Sequence, residues 1–196
     1  MRTFFHLLVS LSCLLGVVPA FALSAADVEQ LKPGAQLQLP VADSDEDKLE
    51  TMQIDRIGLF SDQDGTRWFR LETHRPDGQA ATVLLTLSAS KVEASVVLRR
   101  LKLRDFGASP KQLWKFDKFG EGEVVFEDQH YRFSADDSED SRFTDGSANS
   151  APKELSYYTF HCVEDDDLSL VVLEWSDDEF EALHTGWVDA ERITVK

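Results

Sequence analysis

Met52-Gln53-Ile54-Asp55-Arg56-Ile57-Gly58-Leu59-Phe60-Ser61-Asp62-Gln63-Asp64-Gly65-Thr66-Arg67-Trp68-Phe69-Arg70-Leu71-Glu72 is the stretch that decides the fold. Apolar residues recur in strand fashion at Met52, Ile54 and Ile57 to Phe60, and again from Trp68 to Leu71. Between these runs stands Asp64-Gly65, a hairpin signal because glycine takes positive φ without a steric penalty. Two adjacent antiparallel strands are therefore expected.

The same punctuation continues outward. Arg75-Pro76-Asp77-Gly78 reads as a second hairpin turn feeding Ala81 to Leu87, and Val92 to Leu103 as one or two further strands. Upstream, Asp27 to Leu31 reads as a short helical turn and Gln36 to Leu39 as the start of a strand. Ser109-Pro110 pairs an N-cap hydroxyl with proline at the first helical position, so Leu113, Trp114 and Phe116 follow on a short amphipathic helix. Glu123 to Phe126 and Tyr131 to Phe133 form a third hairpin about Glu127-Asp128. Ser134 to Lys153, rich in Asp, Ser, Gly, Ala and Pro, reads as a long mobile loop, as does the acidic run Asp43 to Asp47. Leu155 to Val163, Leu168 to Trp175, Glu179 to Val188 and Ile193 to Val195 complete the chain. Short strands separated by turn chemistry predict an all-β protein, mainly antiparallel sheets or small barrels, with one or two short helices. The hairpins Trp68 to Leu87 and Tyr157 to Trp175 suggest a weak two-fold repeat.

The N-terminus carries an export signal. Arg2 supplies the positive region, Leu7 to Val18 the apolar core, and Ala20-Phe21-Ala22 a small-x-small cleavage site, so a cut after Ala22 is expected. The apolar core is too short for a spanning helix, which needs about 20 residues, and Cys13 lacks the surroundings of a lipidation site. The expected organisation is a signal peptide at 1–22, an N-terminal β-rich half at 23–106, a connector with a short helix at 107–122, and a C-terminal β-rich half at 123–196. The two halves form either one domain or two.

Only Arg2 among charged residues leaves with the signal, so the net charge of -16 becomes -17. Such acidity speaks against nucleic-acid binding and against peripheral attachment to anionic lipid through basic residues. The one basic patch is Arg99, Arg100, Lys102 and Arg104. Cys162 alone remains after cleavage and alternates with Tyr158 and Phe160 on one strand face, where a buried thiol is expected.

Pro33-Gly34, Trp68-Phe69-Arg70-Leu71-Glu72, Gly120-Glu121-Gly122-Glu123, Leu168-Ser169-Leu170 with Glu174-Trp175, and Thr185-Gly186-Trp187-Val188 follow one another in an order that resembles an uncharacterised bacterial domain family of unknown function. The resemblance covers most of the mature chain and implies a β-rich fold, but no activity to carry over. The chain departs from that pattern where Val171-Val172-Leu173 lengthens one motif, and in bearing a signal peptide.

Catalytic and ligand motifs do not rise above structural readings. His74, His130, His161 and His184 lack metal-ligand spacing, and the clusters Asp43 to Asp47, Asp136 to Asp140 and Asp165 to Asp167 lack the twelve-residue calcium-loop pattern. His161 and Cys162 are neighbours, which on a strand sends them to opposite faces, so they make a poor dyad. Glu72 and Glu174 are the least arbitrary carboxylate pair for glycosidase chemistry. Gly120-Glu121-Gly122 is flanked by acids and opens a strand, which disfavours nucleotide binding. No catalytic, cofactor-binding or metal residue is assigned, and no cofactor. The reading is an exported, non-enzymatic β-module that binds an unknown protein or envelope component through aromatic and acidic surface. No transmembrane segment is expected after signal cleavage. Low-affinity divalent-cation binding is the alternative and hydrolysis of an unknown substrate the third. Trp68 and Trp175 are expected to be largely buried, and Trp187 partly exposed.

Overall fold

A computed structural model describes residues 23–41, 48–62, 65–88, 91–145, 151–176 and 179–196. The expected signal at 1–22 and the acidic run Asp43 to Asp47 lie outside the described residues. The described residues are mostly antiparallel sheet with two α-helices, as the strand pattern requires. The first helix, α1 (Ala25–Glu29), begins two residues before the expected turn, because Ser24 and Asp27 form a reciprocal capping box.

Five strands follow: β1 (Gln36–Pro40), β2 (Leu49–Asp62), β3 (Arg67–His74), β4 (Ala80–Ser88) and β5 (Lys91–Leu101). After a 3-10 turn at Leu103–Phe106 comes α2 (Pro110–Phe119), started by Ser109-Pro110 and ended by Gly120 in the left-handed region at φ 68°. Then come β6 (Glu123–Phe126), β7 (Gln129–Ser134), β8 (Asp140–Thr144), β9 (Lys153–Cys162), β10 (Leu168–Ser176), β11 (Glu179–Val188) and β12 (Thr194–Val195). The turn between β6 and β7 places Glu127 and Asp128 at φ 51° and 64°, the backbone of a tight hairpin.

One sheet holds all twelve strands, in the order β12-β1-β2-β3-β4-β5-β11-β10-β9-β7-β6. β8 pairs on one side with β2 and on the other with β9. That strand closes a circuit β2-β3-β4-β5-β11-β10-β9-β8, an eight-stranded antiparallel barrel. The expected long loop from Ser134 to Lys153 is thus corrected in part: Asp140–Thr144 is strand, and its hydrogen bonds come from both neighbours rather than from its own weak apolar pattern. Both partners of β8 fork: β2 gives its first residues to β1 and its last to β8, and β9 gives its first to β8 and its last to β7.

Alternation divides the side chains between barrel interior and outer face. A bulge between Ile54 and Arg56 switches the parity of β2, so Met52, Ile54, Ile57 and Leu59 all turn outward while Phe60 turns in. Two outer cores result. One gathers Phe69, Leu71, Val83 and Leu85 under α1 and β1; the other gathers Tyr158, Phe160, Leu170 and Val172 under α2, β6 and β7. The interior holds Phe60, Trp68, Leu155, Tyr157 and Leu173. Phe60 and Trp68, opposite each other in the ladder, stack at 4.5 Å, and Tyr157 meets Trp68 edge-on at 4.7 Å.

Trp68 is buried as expected and Trp187 is half exposed. Trp175 is only partly buried, packed against Phe143 at 5.1 Å near the end of its strand. Among the described residues no helix is long and apolar enough to cross a membrane.

Candidate functional site

The two ends of the barrel interior differ in chemistry. At one end Arg70 on β3 donates to Glu72 (2.7 Å) and, through both terminal nitrogens, to Glu181 on β11 (2.6 and 2.8 Å). Arg100 on β5 joins Glu181 and reaches Glu72 at 3.3 Å, and Thr82 on β4 donates to Glu72 at 2.9 Å. Burial opposes ionisation of Glu72, but Arg70, Thr82 and Arg100 prevail and hold its carboxyl below the ordinary value. Two cations and two anions close this end.

Glu72 therefore has no role available as a catalytic acid, and its suggested partner lies elsewhere. Glu174 follows the interior residue Leu173 and so points outward, where it accepts from Trp114 Nε1 at 3.0 Å and from the Tyr158 hydroxyl. The sheet separates the two carboxylates, which is the geometry a glycosidase pair cannot have.

At the other end the barrel opens into a cavity of about 430 Å³. Trp68, Leu84, Tyr157 and Val171 supply its apolar wall, and Thr86, Ser95, Thr159, Ser169 and Thr185 its hydroxyls. Strand ends and turns crowd the mouth with carboxylates: Asp62 from β2, Glu93 from β5, Asp136, Asp137 and Glu139 between β7 and β8, and Asp166 and Asp167 between β9 and β10. Trp187 stands at the rim, 49% exposed, its backbone N–H donating to the Asp167 carbonyl at 2.7 Å. Among the described residues lining the cavity there is no lysine or arginine, and His161 is the one basic side chain.

The field of these acids registers on their neighbours. The Tyr157 phenol is pushed well above its usual value, by burial first and then by Asp62, Glu139 and Asp137. His161 bonds Asp137 at 2.9 Å and Ser169 at 3.2 Å. The hydrogen bond to Asp137 outweighs partial burial and raises the imidazole above its ordinary value, while Asp137 is lowered in turn. Cys162, next in sequence, is buried in the outer core on the opposite face, as alternation requires.

The remaining histidines are dispersed. His74 bonds Asp55, His130 bonds Glu123, and His184 meets Tyr131 in the outer core at 3.1 Å. No group of three or more His, Cys, Asp or Glu able to hold a metal occurs among the described residues. The basic patch is likewise divided, with Arg99 on Glu127, Arg100 in the interior network and Arg104 beside Asp105.

In the sequence the acidic runs and the aromatics stand apart; in the barrel they converge. The available signal was the small hydroxyl residues on strands otherwise apolar, Thr86 on β4 and Thr159 on β9, which mark a face turned toward a cavity rather than a packed core. Eight strands leave an interior just wide enough for side chains or one small ligand, and here the closed end takes the first option and the open end the second. No family model, curated protein or solved structure matches the chain.

Proposed function

We propose that the protein is an exported, non-enzymatic binding module whose open barrel end takes a cationic group: a lysine or arginine side chain of a partner protein, or an amine carried by an envelope component. The observation carrying this reading is the cavity in which seven carboxylates and three aromatic rings converge without a lysine or arginine among the described lining residues. Carboxylates of one sign around a low-dielectric wall concentrate cations. Trp187, half exposed at the rim, adds a ring face that attracts ammonium and guanidinium groups, worth about 0.5–2 kcal/mol per contact. The hydroxyls below the rim offer acceptors to a donor-rich head group. Leu23 is buried and Ser24 caps α1, so cleavage after Ala22 would leave the folded body whole.

Titration with tetralysine and tetraarginine, followed by calorimetry and by Trp187 fluorescence, tests this. Binding that weakens with salt, is absent for tetraglutamate and falls at least tenfold in Asp166→Asn/Asp167→Asn supports the reading. Equal binding of all three peptides, or none, overturns it. Calcium that stabilises the fold and displaces the basic peptides would favour divalent-cation binding, and cleavage of the peptides would favour hydrolysis.

A further inference from the structure

Charge is segregated on this molecule in a way its net value of -16 conceals. On α2, Leu113 is buried and Phe116 half-buried against the outer core, fixing which face of the helix looks inward. Gly122 secures that face: a Cβ there would lie 2.0 Å from the Phe116 ring, so the ring sits directly on the glycine backbone. The opposite stripe, at spacings of three and four, is Lys111, Trp114, Lys115, Lys118 and Phe119, and all five residues are exposed.

Exposure of this kind is costly unless something covers it. Phe119 is 65% exposed, the highest value among the exposed large apolar residues, and Trp114 is 46% exposed. The Trp114 indole is held by its N–H bond to Glu174, so the ring is fixed and its outer face presented. Lys118 lies 5.6 Å over the Phe119 ring. Asp117 flanks the stripe and Glu174 lies beneath it, so the helix itself carries three lysines against one aspartate.

We infer that α2 is a docking surface for an anionic phospholipid bilayer. Tryptophan and phenylalanine between lysines are the composition of helices that lie in the lipid–water interface, with rings at the acyl boundary and ammonium groups among the phosphates. Each lysine near such a surface strengthens attachment severalfold. The acids elsewhere supply orientation, because a bilayer of like charge repels the acidic surface and leaves the lysine stripe to approach it. Attachment is expected to be weak and reversible, since a ten-residue stripe with two aromatic anchors is far from a spanning helix. The proposal runs against the expectation, drawn from net charge, that basic attachment to anionic lipid is disfavoured. It does not depend on the cavity reading, for the two surfaces share no residue.

Quenching of Trp114 by brominated lipid in the full chain tests the inference, with Trp114→Phe supplying the background from the other tryptophans and from any binding by residues 1–22. Vesicles of brominated phosphatidylglycerol should quench Trp114 and vesicles of brominated phosphatidylcholine should not. Lys111→Glu/Lys115→Glu/Lys118→Glu should weaken the quenching roughly tenfold or more, and the milder triple glutamine variant less. Equal quenching by both lipids, or quenching unchanged in the triple variants, would overturn the proposal. Retention on a soluble polyanion with no quenching by either vesicle would also overturn it and assign the stripe to a soluble acidic partner.

Discussion

The guanidinium of Arg70 grips both carboxylate oxygens of Glu181, at 2.6 and 2.8 Å, across 111 residues of sequence. It is the central tie of the closed end of the barrel, and removing it leaves the more exposed Arg100 as the cation facing Glu72 and Glu181, with Thr82 still donating to Glu72. Arg70→Met is expected to cost about 3 kcal/mol in urea denaturation at pH 7, the usual penalty for breaking a buried pair from one side. A loss below about 1 kcal/mol would show that the network is as dispensable as surface ion pairs.

Acid should erase part of that difference. The Glu72 carboxyl is lowered in the folded state, so its contribution is present above the unfolded value of 4.5 and is lost as pH falls through the folded one. The stability gap between the protein and Arg70→Met is therefore expected to narrow on acidification below about pH 4.5. A gap that stays constant down to pH 3 would contradict the ionic account.

His161 places a titrating charge at the cavity mouth, facing Asp137, Asp166 and Glu93. Its value is raised, so the imidazolium persists through the ordinary histidine range, and its positive charge is lost as pH rises above it. Protonated His161 opposes a cationic ligand. Affinity for tetralysine is therefore expected to rise with pH through the His161 titration, and His161→Gln to flatten the profile. NMR titration of the ring protons should return a value above 6.5, falling in Asp137→Asn.

The tryptophans should separate stability from binding. Trp68→Ala is expected to cost about 3–5 kcal/mol, since the ring is stacked on Phe60 and capped by Tyr157. Trp175→Ala should cost less because the ring is partly exposed, and Trp187→Ala should change folding by no more than about 0.5 kcal/mol while weakening basic peptides. Chemical denaturation beside calorimetry reads both. Should Trp187→Ala prove the most destabilising, the division of core and rim would be inverted.

Gly122→Ala should strain the seat of α2. With a ring carbon 2.0 Å from the new Cβ, Phe116 or the helix must shift, at about 1–3 kcal/mol. Restoration of stability in Gly122→Ala/Phe116→Leu would identify the ring as the obstacle, whereas an undiminished loss would place the strain in the backbone.

The sequence by itself determined the strands, because period-two alternation and turn residues such as Asp77-Gly78 and Glu127-Asp128 act over a few bonds. It also determined the start of α2 at Ser109-Pro110 and the opposite facing of His161 and Cys162, which follow from local backbone geometry alone. Tertiary structure decided the closure through β8, since Asp140–Thr144 has one large apolar side chain and becomes strand only by pairing with β2 and β9. It decided the fate of the carboxylates too. Glu72 and Glu174 read alike beside aromatic strand residues, yet one is neutralised by Arg70 and Arg100 inside the barrel and the other is bonded by Trp114 outside it. Carboxylates scattered from Asp62 to Asp167 share one mouth because strands distant in sequence pair at a register fixed by the whole sheet. Alternation names the face a side chain takes along its own strand, but its neighbours are set by which strands lie alongside, and that is settled only when the barrel closes.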